Sequence, residues 1–365
     1  MNLEFFPSRT LTLYLARVFV IRIVAVLFML VLVLQMLDLL GTSGDILAYK
    51  GNGQAQLLYY VSLRMPQLIA RFLPYSVLLA TIITLATLNQ NSEVISMKAA
   101  GLSAHQVLAP LVAAALVVAG VSFAFNERVV THATASLNAW EAVDYGLIPK
   151  TTNARTNVYF AEGRDILVAG TLSGTGDAMV MTQVTYYRRD ANGMIVEQLR
   201  SPRATYAKPG WRMEKPTRFD AVKVAASQLD SAVVAPGITP TRVAITGVDP
   251  DSEGLFVLSK SIDSMALAGR RTTDLDGAWW HKISGPLAAA LMPLLGAVAA
   301  FGLARSGQLL IRAVIGMALG FAYFVLDNAA LAMGNFGGYP PFIAAWAPFL
   351  LFLLIGETVL IRTEE

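Results

Sequence analysis

Six apolar runs, each long enough to cross a bilayer, constrain the fold of this chain more than any other feature. They cover residues 15–37, 68–88, 107–125, 283–304, 313–333 and a last run that follows Pro341 and ends near Ile361. About 20 apolar residues in a helix span the hydrocarbon core of a membrane. Because 55% of the residues are hydrophobic and only 15% are charged, the sequence predicts an integral membrane protein with six transmembrane α-helices.

A region without such runs, from about residue 126 to 276, separates the third predicted span from the fourth. Its apolar and polar residues alternate over short segments, which indicates half-buried strands. Strands are predicted at residues 157–161, 164–169, 179–187, 194–201, 211–214 and 217–224. Asn192-Gly193 and Pro209-Gly210 indicate turns between consecutive strands. Short strands joined by turns predict an inserted all-β domain, a sandwich or a jelly roll.

The predicted organisation is three spans, one β domain and three spans, with domains at residues 1–126, 127–276 and 277–365. Lysines and arginines of the short loops predict the orientation, because cytoplasmic loops are enriched in them. One side holds Arg9, Arg17, Arg22, Lys98, Arg305, Arg312 and Arg362. The other side holds Lys50, Arg64, Arg71, Arg128 and Lys282. This bias predicts cytoplasmic termini and an external β domain, and the lack of a small-residue cleavage site predicts that the first span is retained.

The polar interruption between spans two and three, residues 89–105, is the candidate contact with another protein. One helical face is predicted to contain Val94, Met97, Lys98 and Gly101. The small residues Ala99, Ala100 and Gly101 would let a partner approach closely, and Glu93 offers a carboxylate near the helix start. The charge bias predicts that this segment is cytoplasmic. An ordinary solvated loop helix is the alternative interpretation.

Several classes of chemistry lack their sequence signatures in this chain. There is no G-x-x-x-x-G-K-[ST] phosphate loop, H-E-x-x-H zinc helix or G-x-S-x-G elbow. His105, His132 and His281 are far apart in sequence, and no acid and base stand at a recognisable spacing. Zero cysteines exclude disulfides and thiolate sites. We therefore predict no catalytic residue, no metal site and no cofactor bound by this chain, and the dispersed net charge of +3 does not favour nucleic acid.

Polar and small residues within or beside the spans are the candidate substrate-cavity or gate residues, because a charge in hydrocarbon needs a partner or water. They are Gln35, Asp38, Arg64, Arg71, Gly316, Gly320 and Asp327. Gly316 and Gly320 form a small-xxx-small pair that permits close helix packing. Arg64 and Arg71 are two helical turns apart and could bind an anionic headgroup.

Each of these groups also has a structural interpretation. Asp327 could be a satisfied member of a helix interface, or it could line a polar cavity. Asp38 could lie in the headgroup zone, three residues from Gln35 on the same helical face. Arg64 and Arg71 could extend their charged ends to the membrane interface without binding a ligand. Trp279 and Trp280, beside His281 and Lys282, are predicted to anchor the fourth span at that interface.

In its predicted spans and in several motifs, the chain resembles the LptF/LptG-type lipopolysaccharide export permease family, and in particular its LptG branch. The motifs that carry the resemblance are Phe72-Leu73-Pro74, Ser92-Glu93-x-x-x-Met97-x-Ala99-x-Gly101, Leu326-Asp327 and Gly338-x-Pro340-Pro341. The second motif is typical of the whole family, whereas the last two favour the LptG branch.

The resemblance implies a permease subunit of an ATP-driven exporter in the bacterial inner membrane. Such a subunit would pair with an LptF-like permease, sit on an LptB-like ATPase dimer that binds the ATP and magnesium, and pass lipopolysaccharide to a periplasmic bridge with LptC. The segment at about 91–104 would be the coupling helix, with spans one and five as lateral gates. The coupling residues by this resemblance are Ser92, Glu93, Met97, Ala100 and Gly101.

One position departs from the family pattern. Many LptG-like proteins have a lysine three residues before the aspartate of span one, where this chain has Gln35. We hypothesise that Arg64 and Arg71 supply the missing positive charge, or that the bound lipid A carries less phosphate. Three alternative functions are the LptF-type sister subunit, an intramembrane lipid-modifying enzyme that uses Asp38 or Asp327, and a structural or force-transmitting membrane protein.

Overall fold

The computed structural model describes residues 6–147, 155–174, 176–191, 193–221, 223–240, 243, 248–267, 270–301 and 309–362. Within these residues the chain forms two compact units. One contains Thr42–Tyr60 and His132–Glu253, and the other contains the remaining residues. Helices dominate the second unit, and an antiparallel sheet dominates the first.

The first two helices are longer than the spans predicted within them. Helix α1 is Arg9–Ala48, and helix α2 is Gln54–Gln90. The α1 helix continues through Gly41 and Gly44, which the sequence placed in a polar segment, because one glycine in a helix costs only about 0.5–1 kcal/mol. Asn52 ends α1 by donating its side-chain amide to the Ile46 carbonyl at 2.8 Å.

The third predicted span lies in a helix that also extends past its predicted end. Helix α3 is Glu93–Ala99 and helix α4 is Ala104–Phe125. A π-helical turn, Asn126–Val130, joins α4 to helix α5, Thr131–Glu141. The predicted domain boundary near residue 126 therefore falls inside continuous helix, since the polar residues after Phe125 do not interrupt the backbone hydrogen bonds.

Four further helices follow the sheet in the part of the chain that the structure describes. They are α6, Leu255–Leu267; α7, Thr273–Phe301; α8, Leu309–Asn335; and α9, Pro341–Arg362. The start of α6 is fixed by Glu127, whose carboxylate accepts the Leu255 amide at 2.7 Å. The start of α7 meets the end of α8, because the Arg271 guanidinium donates to the Asn335 carbonyl at 2.9 Å.

Five helical segments of the described residues are long and apolar enough to cross a membrane. They are Arg9–Ala48, Gln54–Gln90, Ala104–Glu141, Val314–Asn335 and Pro341–Arg362. This finding supports a membrane protein. The predicted fourth span lies largely in α7, but its predicted end at Ala304 is outside the described residues, so the count of six remains a prediction.

Large aliphatic and aromatic side chains and small alanines form the core of the helical unit. Leu15 and Phe19 of α1, Val77 of α2 and Tyr323 of α8 are almost completely buried in it. Ala288 and Ala289 of α7 are also buried, and small residues allow helices to pack closely where lipid provides no hydrophobic driving force. The core therefore joins α1, α2, α7 and α8 in one packed bundle.

The sheet has eight strands, and every pairing is antiparallel. They are β1, Arg155–Glu162; β2, Asp165–Ser173; β3, Val180–Arg189; β4, Ile195–Ala207; β5, Gly210–Glu214; β6, Thr217–Asp220; β7, Ala225–Gln228; and β8, Ser231–Val234. Their order is β1-β2-β3-β4-β5-β8, with β6 paired to β4 and β7 paired to β6. An inserted antiparallel β region is thereby confirmed, whereas the jelly roll remains a prediction.

The predicted strands correspond to β1–β6 with some errors of length. The strand predicted at 217–224 is too long, because β6 ends at Asp220, whose carboxylate accepts the Lys223 amide in a turn. Strands β7 and β8 were missed, since each has only four residues. The predicted Pro209-Gly210 turn joins β4 to β5. Asn192 lies outside the described residues, and Gly193 of the β3–β4 hairpin has a φ of +82°.

The apolar face of the sheet buries Leu167, Met181 and Trp211, and the Trp211 indole donates to the Ile238 carbonyl at 2.7 Å. Tyr186 donates its hydroxyl to Asp165 at 2.7 Å. Burial raises the pKa of Tyr186, and the hydrogen bond to Asp165 adds to this effect. The sheet thus has its own core, with its buried polar groups hydrogen-bonded.

Glu197 on β4 should be the most important acidic residue of the sheet. It is 8% exposed and pairs with Arg188 at 2.8 Å and with Arg218. Glu197→Gln should destabilise the protein by about 1–3 kcal/mol, because two arginines lose their carboxylate. The matched change Glu214→Gln removes a half-exposed pair with Arg203 at 3.8 Å and should cost less than about 1 kcal/mol. Equal losses of thermal stability in detergent would contradict this ranking.

Candidate functional site

The candidate partner contact, helix α3, is shorter than the predicted segment and has sharply defined ends. Ser92, with a φ of 61°, precedes it. Gly101, with a φ of +86°, follows it, and the Leu102 amide donates to the Met97 carbonyl at 3.1 Å while the Gly101 amide donates to Lys98 at 3.0 Å. These two bonds form a Schellman motif, in which glycine is favoured at the left-handed position. The helix is therefore held in a defined position.

The start of α4 is equally well defined. The Ser103 hydroxyl accepts the Gln106 amide at 3.1 Å, and the Gln106 side chain accepts the Ser103 amide at 3.1 Å. This reciprocal pair is a capping box. His105 lies 3.5 Å from Glu357 and so connects the start of α4 to the last part of α9.

The predicted four-residue face of α3 is divided by the structure. Val94 and Met97 are 6% and 8% exposed and pack in the bundle core with Leu15. Lys98 and Gly101 are exposed. The spacing was correct for Val94 and Met97, but their side chains face the bundle because they are apolar. The exposed residues of α3 and its end are Ile95, Ser96, Lys98, Ala99, Ala100 and Gly101.

Glu93 connects α3 to the first helix. The Tyr14 hydroxyl of α1 donates to a Glu93 carboxylate oxygen at 3.2 Å, and the Asn91 side chain donates to the other at 3.3 Å. Glu93 also lies in the first turn of α3, where a negative charge is favoured by the helix dipole. Sequence reasoning missed Tyr14, because no local pattern relates residues on different helices.

A second group of candidates lies where α1 meets α2. Arg64 binds Asp38 through Nε at 3.2 Å and Nη2 at 3.0 Å, and its Nη1 donates to Gln67 at 2.7 Å. Asp38 thus has a partner within the chain. Arg64 is already engaged by a carboxylate, so its capacity to bind another anion is reduced. Arg71 is exposed, one helical turn before Tyr75.

Gln35 is the most unusual polar residue of α1. It is 7% exposed, and both polar atoms of its side-chain amide lack a hydrogen-bond partner among the described residues. An unpaired buried polar group costs about 1–3 kcal/mol. Such a group is an indication of a partner that lies outside this chain.

The third group of candidates lies along α8. Gly316 and Gly320 are buried, and a Cβ at Gly320 would overlap Leu78 of α2. Tyr75 of α2 stacks on Phe324 of α8, with ring centroids 3.9 Å apart. The small-residue face of α8 therefore packs on α2, as expected of a small-xxx-small pair.

Asp327, on the same helix, meets a histidine that the sequence did not pair with it. Asp327 is 6% exposed, and its Oδ2 lies 3.9 Å from Nε2 of His281 on α7. The Ser284 hydroxyl lies 3.5 Å from Nδ1 of the same ring. No sequence pattern relates His281 to Asp327, because residues far apart in the chain meet only when α7 and α8 pack. The described residues include no group of three or more histidines and acidic residues that could hold a metal ion.

Comparison with known proteins decides the family. The family model described as "Lipopolysaccharide export system permease LptF/LptG" matches residues 13–362. This chain belongs to the LptF/LptG family. The match begins in α1, ends in α9 and includes the inserted sheet.

Individual members of the LptF/LptG family agree with this result. The lipopolysaccharide export system permease protein LptG of Escherichia coli K12 is 24% identical over 365 residues, 98% of this chain and 99% of that protein. The LptG of Haemophilus influenzae Rd is 22% identical over 316 residues, 85% of this chain and 87% of that protein. Because the family consists of transporter permeases, the enzyme alternative is not supported. The identities are too low to distinguish the LptF branch from the LptG branch.

The contact between Gly320 and Leu78 should limit side-chain size at that point of α8. Gly320→Ala should lower the thermal stability of the protein by about 1–3 kcal/mol, because overpacking displaces the buried Leu78. Gly120→Ala is the matched control, since its Cβ would meet nothing within 4 Å. The pair Gly320→Ala with Leu78→Ala should lose less stability than the two single changes combined. Strict additivity would contradict the proposed contact.

Proposed function

We propose that this chain is the LptG-type permease subunit of an ATP-driven exporter that extracts lipopolysaccharide from the inner membrane. In this proposal α7 provides the sixth span, both termini are cytoplasmic, and the sheet is part of a periplasmic jelly roll. The domains are residues 1–126, 127–276 and 277–365. The chain passes its cargo to a periplasmic bridge that includes an LptC-like protein anchored in the membrane.

The single observation that carries the proposal is that one face of α3 is fixed to the bundle while the other face is exposed. Val94 and Met97 fix the helix to the bundle, while Ile95 and Ala99 remain exposed. An exposed, rigid surface with small side chains suits docking, because little conformational entropy is lost on binding. An LptB-like ATPase dimer is the proposed occupant, and that dimer binds the ATP and magnesium. Ser92, Glu93, Met97, Ala100 and Gly101 form the proposed coupling segment, in which Met97 acts as the anchor.

The route from this segment into the membrane begins at Tyr14. Because Tyr14 donates to Glu93, a movement of α3 is transmitted to α1. The α1 helix exposes a long apolar face that includes Phe28, Met29 and Leu40, each about 70% exposed. We propose that this face and the exposed face of α8, with Phe321 and Val325, form lateral gates against an LptF-like subunit.

The outer half of the gate contains the proposed lipid contacts. The buried amide of Gln35 has no hydrogen-bond partner among the described residues, so we propose that it meets the cargo or the second subunit. Arg71 is the proposed phosphate contact, and Arg64 holds Asp38 in place. Gly316, Gly320 and Asp327 belong to the helix that moves. The LptF-type sister subunit is the alternative, and purification with an LptF rather than an LptG partner decides between them.

Glu93 tests the coupling step. Glu93→Lys should uncouple ATP hydrolysis from lipopolysaccharide export in the reconstituted complex while the spans stay folded. Tyr14→Phe removes the intrachain hydrogen bond and leaves the carboxylate available, so it should keep ATPase binding and reduce export several-fold. Circular dichroism checks the fold of both variants. Normal export by Glu93→Lys would instead support the alternative interpretation, in which this segment is an ordinary solvated loop helix.

Variants of Arg71 and Arg64 test lipid binding and protein stability separately. Arg71→Ala should raise the lipopolysaccharide concentration needed for half-maximal ATPase stimulation about tenfold, since a charged hydrogen bond contributes about 1.5–3 kcal/mol. Arg64→Ala should instead lower stability, and adding Asp38→Asn should recover it. Lys50→Ala, an exposed cation between α1 and α2, is the control. Unchanged stimulation in the double variant Arg64→Ala, Arg71→Ala would exclude this lipid site.

A further inference from the structure

The contact between His281 and Asp327 lies well inside the bundle. Eight residues separate Asp327 from the end of α8 at Asn335, and eight separate His281 from the start of α7 at Thr273. At 1.5 Å per residue, the pair is about 12 Å from the ends that Arg271 joins. Ionisable groups at such depth in a spanning helix mark functional sites by default.

The two members of the pair differ in access. The His281 side chain is 36% exposed at the surface of the chain, whereas the Asp327 side chain is 8% exposed. At 3.9 Å, His281 is the only ion-pair partner of Asp327 among the described residues. A buried carboxylate with one distant partner is poorly stabilised as an anion. Either it holds a proton itself, or the imidazole holds the proton and supplies the counter-charge.

Among the described residues, no other basic side chain forms an ion pair with Asp327. Tyr75 from α2 and Tyr323 on α8 interact electrostatically with Asp327, and neither is a base. Arg71 interacts with Tyr75, and Lys282 interacts with His281. The imidazole of His281 is therefore the base that faces Asp327.

The other helices that pack against α7 and α8 carry their charges elsewhere. His105 of α4 and Glu357 of α9 pair with each other at 3.5 Å, and Arg362 lies at the end of α9. Lys260 and Asp263 of α6 are exposed. Among the described residues, Lys282 beside His281 is therefore the charged group outside the pair that acts on it.

We propose that His281 and Asp327 form a proton-binding site between α7 and α8, and that the number of protons bound sets how firmly these helices pack. When the pair binds one proton its net charge is zero, and the His281 imidazole and the Asp327 carboxyl group attract each other. A second proton leaves an imidazolium beside a neutral carboxyl group, which removes the ionic attraction. Loss of the proton leaves an uncompensated carboxylate. Packing is therefore firmest in the one-proton state, and both loss of this proton and gain of a second proton loosen α8.

Distance measurements between spin labels test the site directly, because the native chain has no cysteine. Labels at Asp274→Cys on α7 and Met333→Cys on α8 use exposed positions near the joined ends. The chain is studied in its complex in nanodiscs, with the cysteines of the other subunits replaced. Between pH 8 and pH 5 (about the range in which histidine titrates), the population with a longer distance should change several-fold and be smallest where the pair binds one proton.

Variants of the pair should abolish this response. The double variant His281→Gln, Asp327→Asn removes both ionisable groups and places no lone charge in the bundle, so it should fold and show no dependence on pH. His132→Gln, which removes an exposed histidine of α5, is the matched control and should keep the full response. An unchanged response in the double variant, or none in the native chain, would overturn the proposal.

The consequence for export rests on the proposed function and is measured separately. The rate of lipopolysaccharide export is measured at each pH in the native complex and in the complex with the double variant. The ratio of the two rates should change several-fold between about pH 8 and pH 5. A pH response of the labels without any export would support the proton site and contradict the proposed function. A label response with a flat export ratio would overturn the link between packing and transport.

Discussion

The need to satisfy every polar group inside the membrane is the constraint on which the rest of this structure depends. Backbone groups in hydrocarbon must be hydrogen-bonded within the protein, so the spanning segments are long helices. Side chains obey the same rule: Arg64 binds Asp38, and His281 meets Asp327. The exceptions among the described residues are the side-chain amide of Gln35, the hydroxyl of Thr84 and the indole nitrogen of Trp346, which are buried without a hydrogen-bond partner. Cargo or a second subunit is proposed as the partner of Gln35 alone.

The two ends of the helical unit are suited to different tasks. At the end with α3, the backbone is fixed by the Schellman motif at Gly101 and the capping box at Ser103. A fixed surface transmits displacement, and Tyr14 joins it to α1. At the other end, α7 and α8 are joined by Arg271 and by a histidine–aspartate contact that responds to protons. In the proposed function, force enters at this rigid surface, and the packing of α7 on α8 is adjustable far from it.

The sequence alone predicted the class of fold and much of the organisation. Apolar runs located the five helical segments that could cross a membrane, because a run of about twenty apolar residues has few alternatives to a spanning helix. Alternation of apolar and polar residues located β1–β6. Helix ends were less accurate, since Gly41 and Gly44 were tolerated within α1 and the helix continued past Phe125. Helical spacing put Val94 and Met97 on one face, but spacing alone does not say whether a face is inward or outward. The contacts of Tyr14, Arg64 and His281 required the packed structure, because each joins separate helices.

In the proposed function, α3 receives force from a separate ATPase. A photo-crosslinking amino acid at Ile95, which is 61% exposed on α3, tests this contact in the assembled complex. Val117 of α4, 68% exposed within a span, provides the comparison. The account predicts a crosslink from Ile95 to the ATPase subunit and none from Val117. Absence of an ATPase crosslink from Ile95, in a complex that still hydrolyses ATP and exports lipopolysaccharide, would contradict it.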